Sequence, residues 1–247
     1  MQMQALRREM VKYSHRIWER GWVGNHDGNI TARLDKNRIL ATPTAFSKAE
    51  IKEDDLLVIE LWTGKIQSGK HKAFSELGMH LEWYKVRDDV TAVFHAHPPV
   101  CCGFSCAGVE VEPKITAEAV VSIGDRIPLA PPVFPGSLES RQQVRFLGNV
   151  YDVIMLANHG LVSCGADLEQ AYLRMELTEH LANIQKSALA AGGLRLIPEV
   201  WVADLLAKRK KAGLGPEARN TPVPAPRDLA RLPMDELVST LVEKLTE

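Results

Sequence analysis

Two short apolar runs that end in histidine constrain the fold of this chain most. Residues 90–97 are rich in β-branched and apolar side chains, and residues 153–157 are equally apolar. Such runs are typical of β-strands, in which side chains two positions apart lie on the same face. His95 and His97 are therefore expected to point the same way, and the prolines that follow them end the strand.

A third histidine follows the second run, in Asn158-His159-Gly160. Gly160 permits close approach of the backbone at the turn. Three imidazoles at strand ends can hold one cation and leave a coordination position open, which is the arrangement of catalytic zinc sites. The alternative is that His95 and His97 make only backbone hydrogen bonds at a strand end. His159, at the end of the second strand, favours the metal site over this alternative.

A helix is predicted over residues 75–84, with Ser75 as its N-cap. Its apolar face consists of Leu77, His80, Leu81 and Tyr84. Glu76 then lies in the first turn, where the helix dipole stabilises a carboxylate. Near a metal ion the same carboxylate can instead serve as a ligand or a general base. Both interpretations of Glu76 remain open at this point.

Hydrophobic periodicity predicts further elements around these segments. A first helix is expected from Leu6 to Ile17, and a long helix from Asp167 to about Gly192. The remaining predictions are strands over residues 30–34, 38–41 and 56–61, a helix over residues 100–108 and a short apolar segment over residues 120–123. Helices thus alternate with strands, which indicates one sheet with helices packed against it.

Five motifs, in this order, resemble the class II aldolase/adducin family. They are residues 28–33 (GNITAR), 42–44 (TPT), 75–76 (SE), 93–98 (VFHAHP) and 156–160 (LANHG). The family includes fuculose-phosphate aldolase and ribulose-phosphate 4-epimerase, and the resemblance extends from residue 6 to residue 193. It implies an α/β fold with a single catalytic domain over residues 1–212. This domain would be a three-layer sandwich in which a central, mainly antiparallel β-sheet is flanked by helices.

The resemblance also implies roles for individual residues. The family's ligands for Zn²⁺, which Mn²⁺ or Co²⁺ can replace, correspond to His95, His97 and His159. Glu76 corresponds to a glutamate that binds the metal in the resting state and then acts as the catalytic acid/base. The family's substrate-binding positions correspond to Gly28, Asn29, Thr44 and Ser75. A homotetramer with active sites at the subunit interfaces is implied as well.

Three departures from the family pattern affect the expected substrate and proton donor. His26-Asp27 and Phe74 stand where the family has hydroxyl side chains that hold a phosphate. Asp27 also brings negative charge towards an anionic substrate, which is unfavourable unless His26 is protonated or the carboxylate points away. Pro132 stands at the position of a catalytic tyrosine, so the leaving group must take its proton from another residue or from water.

The expected function is that of a zinc-dependent lyase of the aldolase type. It would cleave a carbon–carbon bond of a small keto or hydroxy sugar, sugar phosphate or sugar acid through a metal-stabilised enediolate, with Glu76 moving the proton. A decarboxylase of a small hydroxy, keto or aromatic acid is the closest enzymatic alternative, and an epimerase is a further one. A non-catalytic, adducin-like interaction domain is the alternative of another class, against which the complete set of metal-site residues argues.

Composition excludes several other classes of protein. The chain has 247 residues, a net charge of -1 and 45% hydrophobic residues, enough for one sizeable core and without the basic excess of a nucleic-acid-binding protein. No apolar run approaches the roughly 18 to 20 residues of a membrane span, and the N-terminus lacks the apolar core of a signal peptide. A cytoplasmic location is therefore expected. Free thiols rather than disulfides are expected for Cys101, Cys102, Cys106 and Cys164.

The character of the sequence changes beyond Gly193. The basic run over residues 208–211 is expected to be the solvated end of a helix. Residues 213–233 contain five prolines and predict an extended linker. Residues 234–245 have the spacing of a small amphipathic helix, which could pack on a neighbouring subunit.

Overall fold

The computed structural model describes residues 2–219, within which the chain forms seven α-helices and eight β-strands. The helices are α1 (Gln2–Glu19), α2 (Leu77–Val86), α3 (Pro99–Cys106), α4 (Ala117–Ser122), α5 (Leu138–Leu147), α6 (Leu168–Ala190) and α7 (Glu199–Lys211). The strands are β1 (Asn29–Arg33), β2 (Arg38–Ala41), β3 (Leu57–Glu60), β4 (Ile66–Ser68), β5 (Ala92–Ala96), β6 (Leu129–Ala130), β7 (Val153–Leu156) and β8 (Leu161–Gly165). Most of the predicted linker and the predicted helix over residues 234–245 lie outside the described residues.

The strands form one mixed sheet in the order β4-β3-β2-β1-β5-β8-β7-β6. Neighbouring strands are antiparallel except for β6 and β7, which run parallel. The mainly antiparallel sheet implied by the family resemblance is thus confirmed. β5 lies between β1 and β8, with Asn29 opposite His95 and Leu161 opposite Ala96.

Alternating side chains of β5 belong to two cores on opposite faces of the sheet. Phe94 joins the core that α1 and α6 cover, where its ring meets the rings of Tyr13 and Tyr172 edge-on. Val93 joins the core that α2 and α5 cover, which contains the fully buried Trp83. Helices therefore cover both faces of the sheet, giving the expected three layers.

Most predicted elements are present with bounds shifted by one or two residues. β2 spans the predicted residues 38–41. The N-cap prediction for α2 was wrong, because α2 begins at Leu77 and Glu76 rather than Ser75 occupies the cap position. The Glu76 side chain makes no capping hydrogen bond, so its carboxylate has other partners. The apolar segment over residues 120–123 proves to be the second half of α4 and its C-cap.

Two expectations from composition concern the cysteines and the absence of a membrane span. All four cysteines are free thiols, and Cys101 and Cys164 are buried, where cysteine packs as a small apolar side chain. Within residues 2–219, no helix combines the length and the hydrophobicity that crossing a membrane requires.

A buried cluster of charges joins α7 to the sheet. The carboxylate of Asp152, just before β7, forms ion pairs with Arg87 at 2.7 Å, with Arg174 at 2.9 Å and with Arg209. Arg209 belongs to the basic run on α7 and is only 4% exposed, so the prediction of a solvated run was wrong for this residue. The Arg209 guanidinium also donates to two carbonyl groups at the end of α4, which explains its burial.

Asp152 remains ionised within this cluster. Burial by itself raises the pKa of a carboxyl group, but the positive charges of Arg174, Arg87 and Arg209 outweigh it and hold the pKa of Asp152 well below its usual value. The carboxylate therefore contributes stability that is fully present above the unfolded-state pKa of about 4 and is lost as pH falls through the lower folded-state pKa.

Asp152→Asn should lower the free energy of unfolding by about 3–5 kcal/mol at neutral pH, because three buried guanidinium groups lose the negative charge of Asp152. Urea titration measures the effect, and the difference from the wild type should shrink as pH falls below about 4. The control is Asp35→Asn, which removes an exposed ion pair with Arg38 and should cost no more than about 1 kcal/mol. Equal costs for the two substitutions would contradict this account of the cluster.

Candidate metal centre

The structure brings the three predicted ligand histidines together. His95 lies on β5, His97 directly follows this strand, and His159 lies in the turn between β7 and β8. One ring nitrogen from each residue lies within 4.8 Å of the other two, and the ring centroids are 4.8 to 5.2 Å apart. Nε2 of His97 is 3.2 Å from Nε2 of His95, so these two side chains share a face as the strand period predicts.

Two glycines let the backbone come close to these histidines. A Cβ atom at Gly160 would lie 2.5 Å from Cδ2 of His97, and a Cβ atom at Gly28 would lie 3.0 Å from the carbonyl oxygen of His95. The turn also holds Asn158 at a φ of 55°, in the left-handed region that few residues other than glycine adopt. The backbone around the cluster is therefore shaped to fit the three rings, and a side chain at either glycine would displace it.

His95 has the charge and the tautomer of a metal ligand. Its Nδ1 lies 3.1 Å from the carbonyl oxygen of Leu161, which can only accept, so Nδ1 carries the proton and Nε2 presents a lone pair. Complete burial lowers the pKa of His95 well below its usual value, and the charges of His97 and His159 lower it further. Metal-binding histidines almost always have such a partner at the second ring nitrogen.

Glu76 faces the histidines from the start of α2. Its Oε1 is 3.2 Å from Nε2 of His159, and its Oε2 is 3.4 Å from Nε2 of His95. Asn29 donates its Nδ2–H to Oε2 at 3.1 Å. A carboxylate oxygen opposite an unprotonated imidazole nitrogen is repelled unless a cation or a proton lies between them. Together with the three imidazole nitrogens that lie within 4.8 Å of one another, this carboxylate forms a donor set that fits a divalent metal ion.

The predicted substrate-binding residues fall into two groups. Asn29 contacts the cluster through Glu76, and Gly28 contacts it through the backbone of His95. Thr44 lies in the loop after β2, where its backbone N–H donates to the carbonyl of Lys72 at 3.0 Å. Ser75 is exposed directly before the N-cap of α2. The first pair thus forms part of the centre, whereas the second pair lies on flanking segments.

A buried lysine beside the centre was missed by the sequence analysis. Lys48 is 1% exposed, and its ammonium donates to the carbonyl groups of Phe46 at 3.1 Å and His26 at 3.4 Å. Burial lowers the pKa of Lys48 to about 8, while the charge of Asp27 raises it. The Asp27 carboxylate in turn lies 3.5 Å from Nδ1 of His97. A single lysine in a loop has no periodicity or motif that would have identified it.

A narrow cleft opens beside Glu76 and His159. Its other lining residues are mostly apolar and comprise Met79, Pro131, Val133, Pro135, Ser140, Gln143, Leu156 and Ala157. Gln143 donates to the carbonyl of Pro131 at 2.7 Å, and its Oε1 has no protein partner within residues 2–219. Pro132, which stands where the family has a catalytic tyrosine, lies between Pro131 and Val133 and has no hydroxyl to offer the cleft. The wall beside Glu76 and His159 is therefore mostly apolar, with Gln143 and Ser140 as its polar members.

Comparison with known proteins identifies the family. Residues 8–186 match the family model described as Class II Aldolase and Adducin N-terminal domain. The L-fuculose phosphate aldolase of Methanococcus maripaludis (strain C7) is 34% identical over 174 residues, which cover 70% of this chain and 92% of that protein. The 3-oxo-tetronate 4-phosphate decarboxylase of Pectobacterium atrosepticum is 31% identical over 185 residues, which cover 73% of this chain and 84% of that protein.

The fold is also found among solved structures. A structure described as L-fuculose 1-phosphate aldolase superposes with a TM-score of 0.77 and 25% identity, covering 83% of this chain and 96% of the other. The matched family model extends over most of the described residues and includes every residue of the histidine cluster. The chain therefore belongs to the class II aldolase and adducin family.

Proposed function

We propose that the protein is a zinc-dependent lyase whose metal ligands are His95, His97 and His159. The observation that carries this proposal is the convergence of three imidazole nitrogens within 4.8 Å of one another beside the Glu76 carboxylate. Three protein nitrogens with a further position left for substrate are typical of catalytic zinc sites. Mn²⁺ or Co²⁺ would fit the same ligands.

The reaction that this site supports best is aldol-type cleavage of a carbon–carbon bond in a small keto or hydroxy sugar or sugar acid. A bound divalent cation supplies a Lewis acid that stabilises the negative charge released when the bond breaks. Glu76 transfers the proton at the reacting carbon, because its carboxylate lies within the cluster and beside the cleft. Asn29 holds that carboxylate through its Nδ2–H, and Gly28, Thr44 and Ser75 bind the rest of the substrate.

The substrate end of the site favours a compound without a dianionic phosphate. Phe74 is buried and packs edge-on against His80, with ring centroids 5.1 Å apart, so it offers no hydroxyl there. The Asp27 carboxylate adds a negative charge beside His97. The ammonium of Lys48 donates to backbone carbonyl groups and is buried behind the same loop. These features argue for a free sugar or a sugar acid.

Decarboxylation of a small hydroxy or keto acid is the second candidate. It is supported by the relative described as 3-oxo-tetronate 4-phosphate decarboxylase, which is 31% identical to this chain. Loss of carbon dioxide leaves negative charge at the same carbon as aldol cleavage, so the same residues serve both reactions. The two reactions differ only in the group that leaves.

We also propose that the protein forms a homotetramer with its active sites at the subunit interfaces. Phe134 and Leu138, on the segment that walls the cleft, are 82% and 62% exposed. Large apolar side chains that are exposed close to a site are typical of a contact surface. A second subunit placed on this segment would close the cleft.

His97→Ala should lose zinc and turnover together, whereas Glu76→Gln should retain much of the zinc and lose turnover by about 100-fold or more. The reason is that His97 contributes a ligand, while the amide of glutamine cannot carry the proton. Elemental analysis after dialysis measures zinc per chain. His180→Ala, at an exposed position on α6, is the control and should keep both properties. Full turnover in Glu76→Gln would refute its role in proton transfer.

The reaction itself can be read from the products. Zinc-loaded protein should convert a member of one of three pools, namely ketose phosphates, free ketoses, and hydroxy- and keto-acids, and mass spectrometry identifies what is formed. An aldehyde fragment establishes aldol cleavage, carbon dioxide establishes decarboxylation, and a product of unchanged mass indicates epimerisation. A protein that binds no zinc and converts nothing would contradict the lyase and favour the interaction domain.

Asp27→Ser should improve binding of phosphorylated ketoses by about tenfold, which corresponds to about 1.4 kcal/mol, because the substitution removes a repelling charge and adds a hydroxyl. Inhibition by a phosphorylated ketose measures this. Since Asp27 also faces His97, zinc content must equal that of the wild type. Asp54→Ser removes the same charge from an exposed turn and serves as the control. Unchanged binding at full zinc content would show that Asp27 does not exclude phosphate.

A further inference from the structure

A buried chain of hydrogen bonds runs behind Glu76, between α2 and β1. The hydroxyl oxygens of Tyr84 and Thr31 are 2.8 Å apart, and Oγ1 of Thr31 is 2.9 Å from Nδ1 of His80. All three side chains are buried. His80 lies one helical turn after Glu76, and Thr31 lies two residues after Asn29 on the same face of β1. The chain is therefore adjacent to the contact between Asn29 and Glu76.

This chain determines which nitrogen of His80 carries the proton. Among the described residues the hydroxyl of Tyr84 has Oγ1 of Thr31 as its hydrogen-bond partner, so Tyr84 directs its own proton to Thr31. Thr31 then donates to Nδ1 of His80, which leaves the proton of the neutral ring on Nε2. If Nδ1 of His80 instead donated to Thr31, and Thr31 to Tyr84, the hydroxyl proton of Tyr84 would have no acceptor among residues 2–219.

His80 is neutral in this environment. Burial lowers its pKa to about 3, and positive charge on His95 acts in the same direction, while the Glu76 carboxylate opposes both. Its Nε2–H is therefore a permanent hydrogen-bond donor at any pH near neutrality.

Two buried polar atoms, on Asn29, which contacts Glu76, and on His80, one helical turn after Glu76, have no protein partner within the described part of the chain. They are Nε2 of His80 and Oδ1 of Asn29. The first is a donor, and the second is an acceptor because the amide nitrogen of Asn29 is bound to Glu76. An unsatisfied buried polar group costs roughly 1–3 kcal/mol. A buried donor and a buried acceptor are the kind of partners that a structural water requires.

We propose that His80 is a positioning residue of the metal centre, whose Nε2–H and the amide oxygen of Asn29 bind one buried water. This bridge fixes the Asn29 side chain and thereby holds the Glu76 carboxylate against the three histidines. Tyr84 and Thr31 act indirectly, because they set the tautomer of His80. The inference rests on the proposed metal function of the site and assigns a role to a histidine whose position in the sequence suggested only core packing.

The tautomer can be measured in the metal-free wild-type protein. Long-range ¹H–¹⁵N correlation spectra should show His80 protonated at Nε2 and unprotonated at Nδ1, with the ring neutral from about pH 5 to pH 8. Thr31→Val removes the donor to Nδ1 and should shift the population towards the other tautomer. A proton on Nδ1 in the wild type, or a charged ring at neutral pH, would overturn the proposal without any variant having to fold.

Zinc affinity tests the positioning role. His80→Phe keeps a ring that can pack against Phe74 but removes both nitrogens, and its affinity for Zn²⁺ in competition with a chromophoric chelator should fall roughly 10- to 100-fold. His80→Gln retains an amide donor and should recover part of the loss, a rescue that a purely structural role would not produce. His180→Phe makes the same change at an exposed position and should match the wild type.

The outcomes separate this inference from the proposed function. Equal zinc affinities in the wild type and His80→Phe would overturn the role of His80 alone. Failure of the wild-type protein to bind zinc would overturn the proposed function and, with it, this inference. A high-resolution structure with one water bonded to both His80 Nε2 and Asn29 Oδ1 is the expected result, and a direct contact of Nε2 with any other group would overturn the bridge.

Discussion

The pairing of β5 with β1 and β8 is the constraint on which the candidate site depends. Its register sets Asn29 opposite His95 on one side and Leu161 opposite Ala96 on the other. The first pairing places the amide donor of Asn29 beside Glu76, and the second brings the Leu161 carbonyl to Nδ1 of His95. A shift of the β5 register by one residue would turn the side chains of His95 and His97 towards the core on the opposite face of the sheet. The arrangement of the candidate site is thus a consequence of strand register.

Satisfaction of buried polar groups accounts for both charged clusters of the structure. Around Asp152, guanidinium groups supply the counter-charge that the buried carboxylate needs. At the candidate metal centre the carboxylate of Glu76 faces imidazoles instead, with Nε2 of His159 at 3.2 Å and Nε2 of His95 at 3.4 Å. The first arrangement stabilises the fold, whereas the second, in our proposal, is stabilised by a bound metal ion.

Local sequence predicted the parts of the site that depend on local geometry. His95 and His97 were predicted to share a face because side-chain direction in a strand follows from its period, and His159 was predicted from its place at the turn after the second apolar run. The position of Glu76 at the N-cap rather than in the first turn could not be predicted, since helix ends also depend on tertiary contacts. Arg209 contacts Asp152 and His80 contacts Thr31, partners that lie 57 and 49 residues away in sequence. Contacts over such separations leave no periodic signal in either partner.

The most direct test of the metal centre is a crystal structure of the zinc-loaded protein, with diffraction data collected on both sides of the zinc absorption edge. The account predicts an anomalous peak about 2.0–2.1 Å from one nitrogen each of His95, His97 and His159. The Glu76 carboxylate should lie beside that peak. Absence of a peak between the three rings, or zinc bound only at other residues, would contradict the account and leave the fold without a catalytic metal.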